Sequence, residues 1–73
     1  MYKVYLKPGK EESLKRFHPW VFSGAIAHFD GEPEEGEVVE IYTSKKEFIA
    51  KGHFQIGSIA VRVLTFRQEE EIN

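Results

Sequence analysis

The order of hydrophobic and polar residues along the chain predicts a small, mainly β domain with one short helix. Residues 2–7 alternate with period two and are rich in aromatic and branched side chains, which is typical of a strand. A similar alternation places Val39 and Ile41 on one face of a later segment, and Val61 and Val63 on one face of the last. Strands are therefore predicted over residues 2–7, 20–27, 37–43, 47–54 and 59–66.

A short helix is predicted over residues 10–17. Acidic residues stand in its first turn and basic residues in its last turn, which matches the helix dipole. At 100° per residue, Leu14 and Phe17 share the face towards the core, whereas Lys15 and Arg16 point away from it. Five or six strands with one short helix indicate a small, closed or half-closed β pseudo-barrel.

The segment after the helix combines an apolar strand, residues 20–22, with a corner of small residues in which Gly24 permits a bulge or a close backbone approach. Phe22 is expected in the core. For Trp20 the sequence leaves open whether the ring packs beneath the helix or stacks on a base. Arg62 stands between two valines, so it either faces RNA or has a structural partner.

Composition limits the chain to one small domain. The sequence has 73 residues and no cysteine, which excludes a disulfide framework, a thiolate nucleophile and a cysteine-based zinc site. A chain of this length forms one modest core and leaves no room for a catalytic domain beside it. The longest nearly apolar stretch, residues 59–64, is interrupted by Arg62 and is too short to span a membrane, and residues 1–8 are unlike a secretory signal. We therefore expect a cytoplasmic protein.

Charge is unevenly distributed along this chain. The net charge of −2 and the pI of 5.9 disfavour a nucleic-acid binder, for which a basic domain is usual. However, six acidic residues and no basic one stand in residues 30–40, whereas residues 1–29 contain five basic and two acidic residues. Acid is thus segregated, in part within the Gly- and Pro-containing loop 30–36, and basic surface is left elsewhere.

Motifs for cofactors, metals and catalysis are missing from the sequence. The glycines form no phosphate-binding loop between a strand and a helix, and the three histidines stand on different predicted elements without metal-ligand spacing. The remaining chemistry lies in residues 9–27, where two cations at the helix end are followed by His18 and Trp20. Cations bind phosphates and flat rings stack on unpaired bases, so this segment favours single-stranded or looped RNA.

The sequence also resembles a known family. The clearest match is the run LKPGKEESLKRFHPWVFSGAI, residues 6–26, which resembles the opening of bacterial S-adenosylmethionine-dependent RNA methyltransferases that make 5-methylcytidine in large-subunit ribosomal RNA. Shorter matches follow in order at residues 31–39, 48–52 and 58–64, so the resemblance covers about residues 4–66. The matching part of the family is its N-terminal PUA domain, a module named for pseudouridine synthase and archaeosine transglycosylase.

The resemblance implies a PUA pseudo-barrel that helps a methyltransferase to dock on its RNA. In PUA domains RNA lies across the first helix, the loop after it and neighbouring strand edges. Mapped by position onto this chain, the candidate RNA-binding residues are Lys10, Lys15, Arg16, His18, Trp20, Ser23 and Gly24. Arg62, from the last strand, is added on the grounds given above.

The resemblance further implies a parent enzyme larger than this chain. The family uses a Rossmann-like domain and a cysteine nucleophile, which are missing here, so we expect no activity and no bound cofactor in this chain, and S-adenosylmethionine in the parent. Residues 1–68 are predicted to be the RNA-binding domain and residues 69–73 the start of a linker to the methyltransferase domain, in a reading frame that continues past Asn73. The expected partners are large-subunit rRNA, that catalytic domain and a second copy in a homodimer, without a membrane. The alternative is a scaffold barrel that binds no RNA and orients the catalytic domain or a dimer.

Overall fold

Six strands form a single sheet in the computed structural model, which describes residues 2–69 except for the side chain of Ser13. The alternating segments of the sequence become strands because their apolar side chains line one face. In chain order the elements are β1 (Tyr2–Leu6), α1 (Glu12–Lys15), β2 (Trp20–Phe22), a 3-10 turn (Ser23–Ala25), β3 (Ile26–Asp30), β4 (Val38–Tyr42), β5 (Phe48–Phe54) and β6 (Ile59–Thr65).

The sheet curls into a half-barrel because its two edge strands are neighbours in sequence. The strand order is β2-β6-β5-β4-β1-β3, with β1 and β4 parallel and every other pair antiparallel. Only the 3-10 turn separates β2 from β3. The turn is held from both sides, since the Lys7 amide donates to the Ala25 carbonyl at 2.8 Å and the Ser23 amide to the Ser58 carbonyl at 2.8 Å. This confirms the predicted pseudo-barrel.

The core lies inside the curl and consists mainly of small branched side chains. The predicted faces of β4 and β6 are confirmed, because Val39, Ile41, Val61 and Val63 are all buried. From the helix, Leu14 is buried and closes this core. Burying these apolar surfaces is the main stabilising contribution in a domain this small.

The sheet bends where β5 passes β6. The pairing shifts register between Lys51 and Gly52. A side chain at Gly52 would collide with the backbone carbonyl of Arg62, so only glycine allows the two strands to approach this closely.

The helix is shorter than the sequence predicts. It ends at Lys15 instead of residue 17, and Phe17 has a left-handed backbone with φ of 63°. The Phe17 amide donates to the Leu14 carbonyl at 2.9 Å, which closes the last turn. The prediction that Phe17 shares the core face of Leu14 is wrong, because the helical angle of 100° per residue no longer applies at Phe17, and its ring is exposed.

The predicted strand at residues 20–27 is divided into β2, the 3-10 turn and the start of β3. Within β2, Val21 is buried while Trp20 and Phe22 face outwards. The prediction that Phe22 lies in the core is therefore wrong, since the side chain is 49% exposed. Asp30 ends β3 instead of opening a loop. Of the predicted linker, residues 70–73 lie outside the described residues.

Candidate nucleic-acid interface

Three rings gather on the outer side of β2. Val21 points inwards, so the period of two turns Trp20 and Phe22 to the surface, and His18 joins them from the segment before the strand. The ring centroids of His18 and Trp20 are 6.0 Å apart, those of His18 and Phe22 6.4 Å, and those of Trp20 and Phe22 6.5 Å. These three side chains are called the β2 aromatic cluster below.

Backbone contacts hold the β2 aromatic cluster in place. The Trp20 amide donates to Nδ1 of His18 at 3.4 Å, and the Val63 amide donates to the Pro19 carbonyl at 2.6 Å. Pro19 also restricts the conformation of His18 before it. The backbone that carries the rings is thus tied to β6.

Arg62 stands next to this cluster. In the antiparallel pairing of β2 with β6 it is the register partner of Trp20, and its side chain is exposed. Arg62 thus lies outside the core, directly opposite Trp20 on the neighbouring strand. Within residues 2–69 its guanidinium forms no ion pair. A cation is therefore available next to flat rings.

A concavity of about 350 Å³ lies beside β2. It brings together three of the candidate residues, Lys10, Trp20 and Gly24, with Phe22 at its wall. The other lining residues are Leu14, Val21 and Ala25. An apolar floor with a cation at the rim fits a nucleotide base with its phosphate outside.

The remaining candidates are not part of this concavity. Lys15 lines a second concavity of about 290 Å³, which it shares with Lys45 from the β4–β5 turn. Ser23 lines a third, of about 280 Å³, together with Phe29 and Ile56. Arg16 is exposed at the end of the helix. A helix of four residues turns its side chains to different sides, so adjacent positions in sequence do not give one face.

Sequence reasoning placed two aromatic side chains in the core that the structure exposes. Phe22 was expected inside, and the signal that could have placed it was the buried Val21 before it, because period two then turns residues 20 and 22 to the same side. Phe17 was also expected inside. No local pattern gives its position, since it follows from where the helix stops.

A second aromatic group crosses the outer face of β3, β1, β4 and β5. Its rings are register partners from strand to strand, and they are His28, Tyr5, Tyr42 and Phe48. Tyr5 is stacked on His28 at 4.6 Å and lies 5.6 Å from Tyr42, which meets Phe48 edge-on at 5.9 Å. These four side chains are called the outer-sheet ladder below.

Polar partners complete the outer-sheet ladder. The Tyr42 hydroxyl donates to Oε1 of Glu40 at 3.0 Å, and Nζ of Lys3 lies 5.5 Å from the centre of the Tyr42 ring. Burial raises the pKa of Tyr42 above its ordinary value, and the hydrogen bond and negative charge of Glu40 raise it further. The Tyr42 ring is therefore already engaged by neighbours within the sheet.

Residues 2–69 offer neither a metal site nor a membrane-spanning helix. No three His, Asp or Glu side chains there are grouped so that they could hold a metal ion. In the same residues no helix has the length and apolar character needed to cross a membrane.

Comparison with known proteins places the chain in a family. A family model described as a PUA-like domain matches residues 4–66, most of the chain. The chain belongs to the PUA-like domain family. The matched range coincides with the extent of the resemblance found in the sequence, and the curled sheet with its short helix is the fold of this PUA-like domain.

Curated relatives connect the PUA-like domain with one group of enzymes. It is 47% identical over 72 residues to Ribosomal RNA large subunit methyltransferase I of Photobacterium profundum, which corresponds to 96% of this chain and 18% of the relative. The identity is 45% over 71 residues with the protein of the same name from Aliivibrio fischeri, and 42% over 72 residues with that from Serratia proteamaculans. These alignments cover 96% and 97% of this chain and 18% of each relative. The chain thus spans about a fifth of the length of the curated relatives it matches.

Proposed function

We propose that this PUA-like domain is the RNA-binding accessory domain of a ribosomal RNA methyltransferase and docks the enzyme on its substrate. The names of the relatives supply the enzyme class. In this proposal the parent protein methylates cytosine at C5 in large-subunit rRNA, with S-adenosylmethionine bound by its catalytic domain, in the cytoplasm. Residues 1–68 are the RNA-binding domain, and the linker to the catalytic domain begins at residue 69.

The observation that supports RNA binding best is the exposed β2 aromatic cluster with Arg62 beside it. Trp20 and Phe22 are 39% and 49% exposed, and a group of exposed large rings is typical of an interaction site. Rings held at the surface next to a cation provide stacking for bases and a partner for phosphate, which is the combination that single-stranded RNA needs. Lys10 at the rim of the neighbouring concavity adds a second cation.

The other candidate residues fit a longer RNA path. Lys15 and Arg16 are exposed at the end of α1, and Lys15 faces a concavity on a different side from Lys10. Ser23 and Gly24 belong to the 3-10 turn. In this arrangement the bases contact the β2 aromatic cluster, while the backbone passes over the helix end and the turn.

The test uses the single tryptophan as a probe. RNA that stacks on Trp20 will quench its fluorescence, and no other tryptophan contributes to the signal. We expect a large-subunit rRNA hairpin with an unpaired loop to quench the 73-residue chain, with an affinity that weakens as salt is raised because phosphate contacts release counterions. Amide shifts in an NMR titration should concentrate on residues 10–24 and 62. No quenching and no shifts at high RNA concentration would contradict the proposal.

A second candidate function is a scaffold that orients the catalytic domain or forms a dimer without touching RNA. The observation in its favour is the third concavity, which is lined by Phe29, Phe54 and Ile56, with Ile56 being 75% exposed. The net charge of −2 also suits a protein partner better than RNA. The titration separates the two functions, because only RNA docking predicts salt-dependent shifts at the β2 aromatic cluster.

A further inference from the structure

Phe17 has a backbone conformation that suits it poorly. Its φ of 63° lies in the left-handed region, where glycine and asparagine are usual at the end of a helix and a bulky ring is an outlier. The hydrogen bond from its amide to the Leu14 carbonyl closes the last helical turn. The fold therefore needs a left-handed residue at position 17, but it does not need a phenylalanine.

Packing within the domain does not account for this ring. Phe17 is 71% exposed, and its ring contact in the described part of the chain is an edge-on approach to Phe66 at 5.1 Å. A ring that remains in water gains little hydrophobic stabilisation. Backbone strain at a residue whose side chain is not buried is typical of functional positions. The combination points to a partner that the domain itself does not supply.

The surroundings of Phe17 indicate the chemistry of that partner. Residues 13–29 contain Lys15 and Arg16 but no acidic residue, and the β2 aromatic cluster follows Phe17 directly. Positive charge and open rings complement a nucleotide, whose base is flat and whose phosphate is negative. A base held in a duplex presents its face to its neighbours, so the ligand is an unpaired base.

We propose that Phe17 is a base-stacking residue that holds one unpaired RNA base beside the β2 aromatic cluster. This inference rests on the proposed RNA-docking function and adds to it a defined requirement, a nucleotide outside any duplex at the helix end. The ring at this left-handed position lies outside the core, where an RNA base can reach it.

The structure offers a matched control at Lys46. Its φ is 66°, and its amide donates to the carbonyl three residues earlier, at Thr43, at 2.9 Å, as in the turn that Phe17 ends. Lys46 lies in the turn between β4 and β5, remote in sequence from the β2 aromatic cluster. Asparagine fits both positions, so Phe17→Asn and Lys46→Asn relieve the same strain and differ in what they remove.

The experiment measures thermal unfolding of the 73-residue variants and their affinity for a short, dye-labelled single-stranded RNA of mixed sequence, with its duplex as the comparison. We expect both asparagine variants to melt no lower than the wild type. Phe17→Asn alone should weaken binding to the single strand, about five-fold to about 150-fold, with little change in salt dependence. Phe17→Tyr, which keeps a ring, should retain the wild-type affinity. Every protein that keeps the ring should bind the duplex more weakly than it binds the single strand.

The possible failures are distinguishable. If Phe17→Asn binds RNA as the wild type does while Trp20→Ala binds weakly, the role of Phe17 is overturned and RNA docking stands. If the wild-type chain fails to bind either RNA, both proposals fail. A marked loss of stability in Phe17→Asn with unchanged affinity would show that the ring serves packing against Phe66, and would also overturn the inference.

Discussion

In the outer-sheet ladder each ring contacts the next one. Tyr5 is stacked on His28 at 4.6 Å, and a lysine lies over Tyr42. The three rings of the β2 aromatic cluster, in contrast, are 6.0–6.5 Å apart. Both groups consist of histidine and larger aromatic side chains on the outside of the same sheet. The ladder uses its ring surfaces to join four strands, and the cluster leaves them available. What marks a binding surface here is the uncovered ring surface, not the number of rings.

The position of each group in the sheet explains the difference. The ladder spans four neighbouring strands, so every ring has a cross-strand partner at its side. The cluster stands on β2, an edge strand that pairs only with β6, where the register partner of Trp20 is Arg62. The ladder also begins on an edge strand, β3, but its rings face aromatic register partners, whereas Trp20 and Phe22 face Arg62 and Ile59. Mutations in the two groups should separate stability from binding.

The largest expected effect is on stability, from Tyr5→Ala in the outer-sheet ladder. The substitution removes a half-buried ring with two aromatic neighbours, and we expect a loss of about 2 kcal/mol in the free energy of unfolding. That is a large share of the roughly 3–5 kcal/mol available to a domain of this size. Urea unfolding measures it, and Tyr5→Phe, which keeps the ring, is the control. A Tyr5→Ala variant as stable as the wild type would remove the distinction between the two groups.

The next effect is on binding, from Trp20→Ala in the β2 aromatic cluster. Loss of base stacking should weaken the affinity for single-stranded RNA by about 1–3 kcal/mol, with a smaller change in unfolding free energy than Tyr5→Ala produces. Fluorescence anisotropy with labelled RNA measures the affinity, and Trp20→Phe should restore most of it. If the folded fraction of Tyr5→Ala loses as much affinity as Trp20→Ala, both groups bind RNA and the comparison fails.

A smaller effect concerns salt dependence. Arg62→Ala should reduce the slope of log affinity against log salt by about 0.7, the share of one phosphate contact on a single strand. Lys3→Ala removes an equal charge from the outer-sheet ladder, where Nζ of Lys3 lies over the Tyr42 ring, and should leave the slope unchanged. Equal slopes for Arg62→Ala and the wild type would mean that Arg62 does not contact phosphate.

The smallest expected effect is on the pH dependence of stability, and it comes from Tyr42 in the outer-sheet ladder. Because the pKa of Tyr42 is raised in the folded state, the folded protein holds this proton more tightly than the unfolded chain does. Stability from this group is thus complete below the ordinary tyrosine pKa of about 10 and falls as the pH rises through the higher folded value. Comparing unfolding of the wild type and Tyr42→Phe at neutral and alkaline pH should show a weaker alkaline loss in the variant. An identical alkaline loss in both proteins would indicate that ionisation of Tyr42 does not contribute to the pH dependence of stability.

Much of the fold could be predicted from local patterns, because β1 and β4 alternate with period two, as does most of β6, and turn residues bound the strands. The boundaries around the helix could not be predicted in this way. The short α1 ends where Leu14 reaches the core and the chain must turn towards β6, and this is a tertiary requirement. For the same reason residues 20–27 had to bend at the 3-10 turn, since β2 and β3 belong to opposite edges of the sheet.

The candidate site was predictable only in part. The aromatic and cationic composition of the segment after the helix indicated Trp20 and His18, and the structure groups them with Phe22. The position of Arg62 beside Trp20 follows from the pairing of β2 with β6, two strands far apart in sequence, and no local pattern contains that register. Lys10 and Lys15 are close in sequence but line different concavities. Lys10 precedes the four-residue helix and Lys15 ends it, and the helical turn directs the two side chains to different sides.

The pairing of β2 with β6 also has a consequence for the time at which this surface exists. Trp20 is synthesised 42 residues before Arg62 and the strand that orders β2, and non-local pairing of this kind forms slowly. A nascent chain that lacks β6 therefore contains the rings of the β2 aromatic cluster, but not the strand pairing that places Arg62 beside them. The candidate surface is therefore assembled only after β6 has been synthesised and has paired with β2.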